Sequence, residues 1–142
     1  NQFYPAAGTG IGIQADAPFD GAVRGLVFQR NFIQGTAIGV ELRGIREATI
    51  ANNTIRDNDI WGIAVRQSLG CLTPEPYWEC FYSTANTITG NRVLGNGMDL
   101  YHYVEATGNT WENNICETKE GSEIPECLPP TNLVVYIPMA RK

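Results

Sequence analysis

The chain has 142 residues, room for one domain with a sizeable core, and ten Lys and Arg against fifteen Asp and Glu give a net charge of −5. No basic stripe is present to neutralise phosphates, which argues against nucleic acid as a partner. No apolar run reaches the about 18 residues of a membrane-spanning helix.

The start, NQFYPAAGTG, lacks the charged and apolar regions of a secretion signal, so a signal or earlier repeats would belong to a longer precursor. The first strand-like stretch is GTGIGI at Gly8–Ile13, matched 27 positions later by GTAIGV at Gly35–Val40. The same Gly-apolar step returns at Trp61-Gly62-Ile63. Between these stretches an Asn-centred pattern recurs in RNFIQGT, NNTIRDN, GNRVLGN and GNTWENN. Its landmark residues are Asn31, Asn53, Asn91 and Asn109, each with a bulky apolar residue two positions later: Ile33, Ile55, Val93 and Trp111. The first interval is 22 residues and the second 38, which falls to 24 once a fourteen-residue insertion at Cys71–Thr84 is removed. The last is 18, which predicts a tightened final coil.

Apolar residues alternate within each unit, as in Ile38, Val40 and Leu42 or Ile63 and Val65, the period-two signature of a strand with one face inward. Phe28, Ile50 and Ile88, three residues before a landmark Asn, begin a second short strand. Short strands separated by Asn and Gly turns at 22–24 residues per unit predict an all-β fold, a right-handed parallel β-helix of about five coils. Stacking completes both the backbone ladder and the core of each coil. Asn tolerates the left-handed bend at a corner, and stacked Asn side chains hydrogen-bond from coil to coil. The expected organisation is one domain over 1–142, with a loop insertion at 71–84 and a C-terminal cap at 116–142 that includes a last strand in TNLVVYIP.

Four cysteines form two local pairs, Cys71 with Cys80 and Cys116 with Cys127. Neither spacing is a Cys-x-x-Cys motif, and a single His cannot complete a zinc set, so two disulfides are expected. Each would contribute about 2.5–3 kcal/mol by loop-closure entropy, and both require an oxidising compartment, extracellular or at the cell surface.

The segments TIANNTIRDNDIWGIAV, NTITGNRVLGNGMDLY and the closing GNTWENNICET resemble the parallel β-helix repeat family of secreted bacterial and archaeal proteins, which includes NosD-like and polysaccharide-active members. The resemblance spans Thr49–Pro129. It implies the fold but no single chemistry. Alginate-active relatives carry an Asp-Pro-His motif, and polygalacturonases an Asn-Thr-Asp, Asp-Asp and Gly-His-Gly set; this chain has neither.

Alternation places Ala64 and Arg66 outward, with Glu41 and Arg43 one coil earlier in the same columns. An Arg43–Arg66 pair could grip a uronate carboxylate or sulfate, against the plainer reading of a surface pair neutralised by Glu41. Asp57, Asp59 and Asp99 are candidate acids for glycosidic chemistry or ligands for Ca²⁺, and otherwise turn caps. His102, flanked by Tyr101 and Tyr103, is a candidate for proton transfer or for packing. Tyr77, Trp78, Phe81 and Tyr82 crowd the disulfide-closed insertion and suit stacking on sugar rings, a protein contact or cover for a coil face. Asn52-Asn53-Thr54 is an N-glycosylation sequence. These features describe an extracellular, non-catalytic module that contacts polysaccharide or assembles with copies of itself, as a closed oligomer or filament, through open coil ends. The alternative is a lyase or hydrolase acting on an acidic glycan with Arg43, Arg66, Asp59, Asp99 or His102. No cofactor is required by either reading, Ca²⁺ being the one metal these acids suggest.

Overall fold

A computed structural model describes residues 2–3, 11–16, 23–68, 71 and 80–130. Short strands follow one another through tight corners. They run β1 (Gln2–Phe3), β2 (Ile11–Asp16), β3 (Val27–Gln29), β4 (Phe32–Gln34), β5 (Ile38–Arg43), β6 (Thr49–Ala51) and β7 (Thr54–Arg56). They continue through β8 (Trp61–Arg66), β9 (Thr87–Thr89), β10 (Arg92–Leu94), β11 (Met98–His102), β12 (Thr110–Glu112) and β13 (Lys119–Glu120). Strands three apart in the chain lie beside one another, save that β13 pairs with β11, giving three sheets in the orders β1-β4-β7-β10, β13-β11-β8-β5-β2 and β12-β9-β6-β3. All strand pairings within them are parallel. The fold is the expected parallel β-helix. Its register reproduces the sequence match, with Ile11 beside Ile38 and Ile13 beside Val40.

The inward residues form apolar stacks. Ile33, Ile55 and Val93 lie one above another, as do Val40, Ile63 and Leu100, and Ile50, Ile88 and Trp111. All nine are buried. Complete burial of one such aliphatic side chain contributes about 2–3 kcal/mol of transfer free energy. Gly39 and Gly62 allow the wall to close at one corner. A Cβ on Gly39 would lie 2.5 Å from Ile55 Cγ2, and one on Gly62 would strike Val93 and the Asp99 carbonyl.

Each corner joins a left-handed residue to a ladder residue. Arg30, Asn52, Gly90 and Asn113, with φ between 54° and 63°, precede Asn31, Asn53, Asn91 and Asn114. The backbone and side-chain N–H groups of each Asn donate to the Oδ1 of the next, at 2.9–3.0 Å throughout. The fourth member of this line is therefore Asn114 and not Asn109. Asn109 stands in a different column, where Asn86 donates to its Oδ1 at 3.1 Å (backbone) and 2.9 Å (side chain). The last interval of the first column is thus 23 residues, not 18, and the final coil is not tightened. A third line runs from Thr36 through Asn58 to Asn96.

Carboxylates close two of the lines. Asp99 Oδ1 accepts from the backbone and side-chain N–H groups of Asn96 at 3.1 and 2.9 Å, and Glu123 accepts from the amides of Gly108 and Asn109. Both expected disulfides are formed, Cys71–Cys80 and Cys116–Cys127. At the neck of the insertion Gln67 and Tyr82 pair antiparallel, and the Ser68 amide donates to the Phe81 carbonyl at 2.8 Å. Tyr77, Trp78 and the segment TNLVVYIP lie outside the described residues.

Candidate functional site

The outer face of the five-stranded sheet concentrates the chain's chemistry. Gln14, Glu41, Ala64 and Tyr101 fall in one column, and Asp16, Arg43 and Arg66 in the next but one along the strands. This matches the outward placement expected for Glu41, Arg43 and Arg66. Glu41 is nevertheless fully buried, because its neighbours fold over it. Its Oε1 accepts from Arg66 Nη1 at 2.8 Å and its Oε2 from Gln14 Nε2 at 3.0 Å. Arg43 Nε lies 3.0 Å from the same Oε1, an ion pair whose alignment falls short of a hydrogen bond. A buried carboxylate needs such compensation, since desolvation without partners costs several kcal/mol. The expected arginine pair is therefore anchored from below and not free to swing.

Beside it lies a contact that the alternation of residues did not reveal. Trp61 and Tyr101 are stacked with ring centroids 4.9 Å apart and planes 19° from parallel. The Arg66 guanidinium sits 4.8 Å from the Trp61 centroid, within cation–π range. All three side chains are half-buried. A rigid, partly exposed group of this kind offers apolar ring area and hydrogen-bond donors together. The sequence signal was present: Trp61 stands where neighbouring coils have Ile38 and Met98.

The remaining candidates divide. Asp99 is buried, with Oδ2 accepting from the Glu117 and Thr118 amides at 2.9 and 3.2 Å; with its two bonds from Asn96, three backbone N–H groups and one side-chain N–H occupy its oxygens. Asp57 accepts from Gln34 Nε2 at 2.9 Å, and Asp59 is exposed with no side-chain partner among the described residues. His102 faces the coil interior, edge-on to Trp111, with Nε2 3.1 Å from Asn109 Nδ2 and 3.4 Å from Glu123 Oε2. It is buried, so of its two candidate roles proton transfer has no open face to act through. Phe81 and Tyr82 are half-buried at the insertion's neck, Tyr82 stacked on Tyr103 at 6.3 Å. A hydrogen bond from the Tyr82 hydroxyl to the Glu105 carboxylate, with lesser help from burial and charge repulsion, holds the phenol's pKa above 10. No helix among the described residues is long and apolar enough to cross a membrane.

A family model described as periplasmic copper-binding protein (NosD) matches residues 19–120. No curated protein and no solved structure gives a match. Copper sites are built from imidazole, thiolate or thioether donors. The chain has one His, two Met and four Cys; the His is held in the core and the cysteines are all disulfide-bonded. Among the described residues no three His, Cys, Asp or Glu side chains converge on a point. Among the described residues this donor set does not fit a copper centre.

Proposed function

The chain belongs to the NosD family, and from that premise we propose that it is a non-catalytic β-helix module, working outside the cytoplasm, whose outer face contacts carbohydrate. Two disulfides agree with an oxidising compartment. The observation that carries the reading is the Trp61–Tyr101 stack braced by Arg66 on the outside of the five-stranded sheet.

Sugar rings present flat faces of C–H groups rimmed by hydroxyls, and an aromatic group beside a fixed guanidinium complements both. Glu41 supports the recognition role by holding Arg43 and Arg66 in place before any ligand arrives, which lowers the ordering cost of binding. Catalysis draws no comparable support. The one buried aspartate named as an acid is saturated by N–H donors, and the only histidine packs inside.

The test is titration of neutral and acidic oligosaccharides against the wild type and against Trp61→Ala and Tyr101→Ala, with circular dichroism to verify folding. Loss of at least about tenfold in affinity is expected on removing either ring, which corresponds to about 1.4 kcal/mol. Unchanged binding in both variants would overturn the assignment of this face.

A further inference from the structure

A second cleft, on a different sheet, has the chemistry of an acidic-sugar subsite. It occupies about 230 Å³ on the outside of β7 and β10 and is lined by Thr54, Arg56, Asp57, Arg92, Leu94 and Gly95. That is below the about 300 Å³ at which pockets for drug-sized ligands begin, so its capacity suits a single ring. The register fixes the two arginines. Thr54 lies beside Arg92, and Arg56 beside Leu94, so Arg56 and Arg92 sit on a diagonal one coil apart. Strand spacing and rise put their Cα atoms about 8 Å from each other, a separation across which two guanidinium groups can converge on one ligand.

The two cations differ in preparation. Arg56 is held in place: its Nη2 donates to Gln34 Oε1 at 3.2 Å, its Nε is 3.6 Å from Asp57 Oδ2, and its guanidinium lies over the Phe32 ring at 5.2 Å. Arg92 is exposed, and among the described residues its guanidinium has no hydrogen bond or ion pair. Among those residues none occupies its five N–H donors, which leaves them to an incoming acceptor. With Asp57 counted, the cleft carries one net positive charge. It also keeps a hydroxyl at Thr54 and a carboxylate able to accept from ligand hydroxyls.

We infer that this cleft binds a uronate residue of an acidic polysaccharide, with Arg92 taking the sugar carboxylate, Arg56 reinforcing it, and Thr54 and Asp57 meeting the ring hydroxyls. A single net charge with acceptors beside it favours a monoanionic, hydroxyl-rich ring over a dense polyanion, which Asp57 would repel. The inference rests on the carbohydrate-contact reading but uses a separate face.

The test is calorimetric titration of the folded chain with oligogalacturonate, with the matching neutral oligosaccharide and with inorganic sulfate. The proteins are wild type, Arg92→Ala, Arg56→Ala, Trp61→Ala and the surface control Arg30→Ala. The expected result is oligogalacturonate binding that falls at least tenfold in Arg92→Ala, falls less in Arg56→Ala, and is unchanged in Arg30→Ala. Binding of wild type that is equal in Arg92→Ala overturns the subsite while leaving the carbohydrate reading intact. Equal affinity for the neutral oligosaccharide overturns it too, and sulfate binding as tightly as the oligomer shows an unspecific anion site instead. Absence of any oligosaccharide binding to wild type sinks the carbohydrate reading and this inference together.

Discussion

Replacing Asn91 by Ala tests whether the asparagine lines hold the coils in register. Asn91 is fully buried, and its side chain makes four bonds: Oδ1 accepts from the Asn53 amide and Nδ2, while Nδ2 donates to Asn114 Oδ1 and the Ile50 carbonyl. Removal leaves the buried Asn53 N–H without its partner, at a cost of about 1–3 kcal/mol, and forfeits three further bonds of about 1 kcal/mol each. Neighbouring losses are not additive, so the sum is about 3–5 kcal/mol, a large part of the 5–15 kcal/mol typical of a domain. Asn31→Ala is the internal comparison. Among the described residues it removes only the Nδ2 bond to Asn53 Oδ1, an oxygen that still accepts from the Asn31 backbone, and should cost about 1 kcal/mol. Urea denaturation measures both, and amide exchange at Asn53 localises the effect. A loss for Asn91→Ala no larger than that for Asn31→Ala would refute the ladder argument.

Three further outcomes follow from the same geometry. Gly62→Ala should lower the melting temperature, because its Cβ would meet Val93 and the Asp99 carbonyl at a cost of about 1–3 kcal/mol; strand propensity alone predicts a gain, so the sign decides. The Tyr82 phenol should ionise above 10, and Glu105→Gln should shift its ultraviolet titration to lower pH. The small stabilisation tied to that phenol is present below its unfolded pKa and is lost as pH rises through the folded value. Calorimetric titration with Cu²⁺ should show no one-to-one site and no change in His102→Gln; a tight stoichiometric site would contradict the donor-set argument.

The architecture was legible because its causes are local. Alternation at Ile38–Leu42 and the repeated Gly-apolar step reflect an inward face and a tight corner, and both survive as register partners. The final column is ambiguous in the sequence because one string serves two corners. Asn53-Thr54-Ile55 and Asn86-Thr87-Ile88 look alike, yet they stand in different lines, and Asn109-Thr110-Trp111 copies the second. The equal intervals from Asn86 to Asn109 and from Asn91 to Asn114, 23 residues each, carried the right answer. Burial of Glu41 was not legible, since alternation says which way a side chain points but not what folds over it from the coils on either side. The Arg56–Arg92 diagonal was missed for a related reason. Their strands are three residues long, and the insertion between them separates in sequence what the register brings together.

The most direct test of the outer-face reading follows the indole N–H resonances of the three tryptophans during titration with an oligosaccharide found to bind. Trp61, half-exposed beside Tyr101 and Arg66, should shift progressively, while Trp111, buried at 4% exposure, should stay fixed. Saturable binding with the Trp61 resonance unmoved would contradict the account.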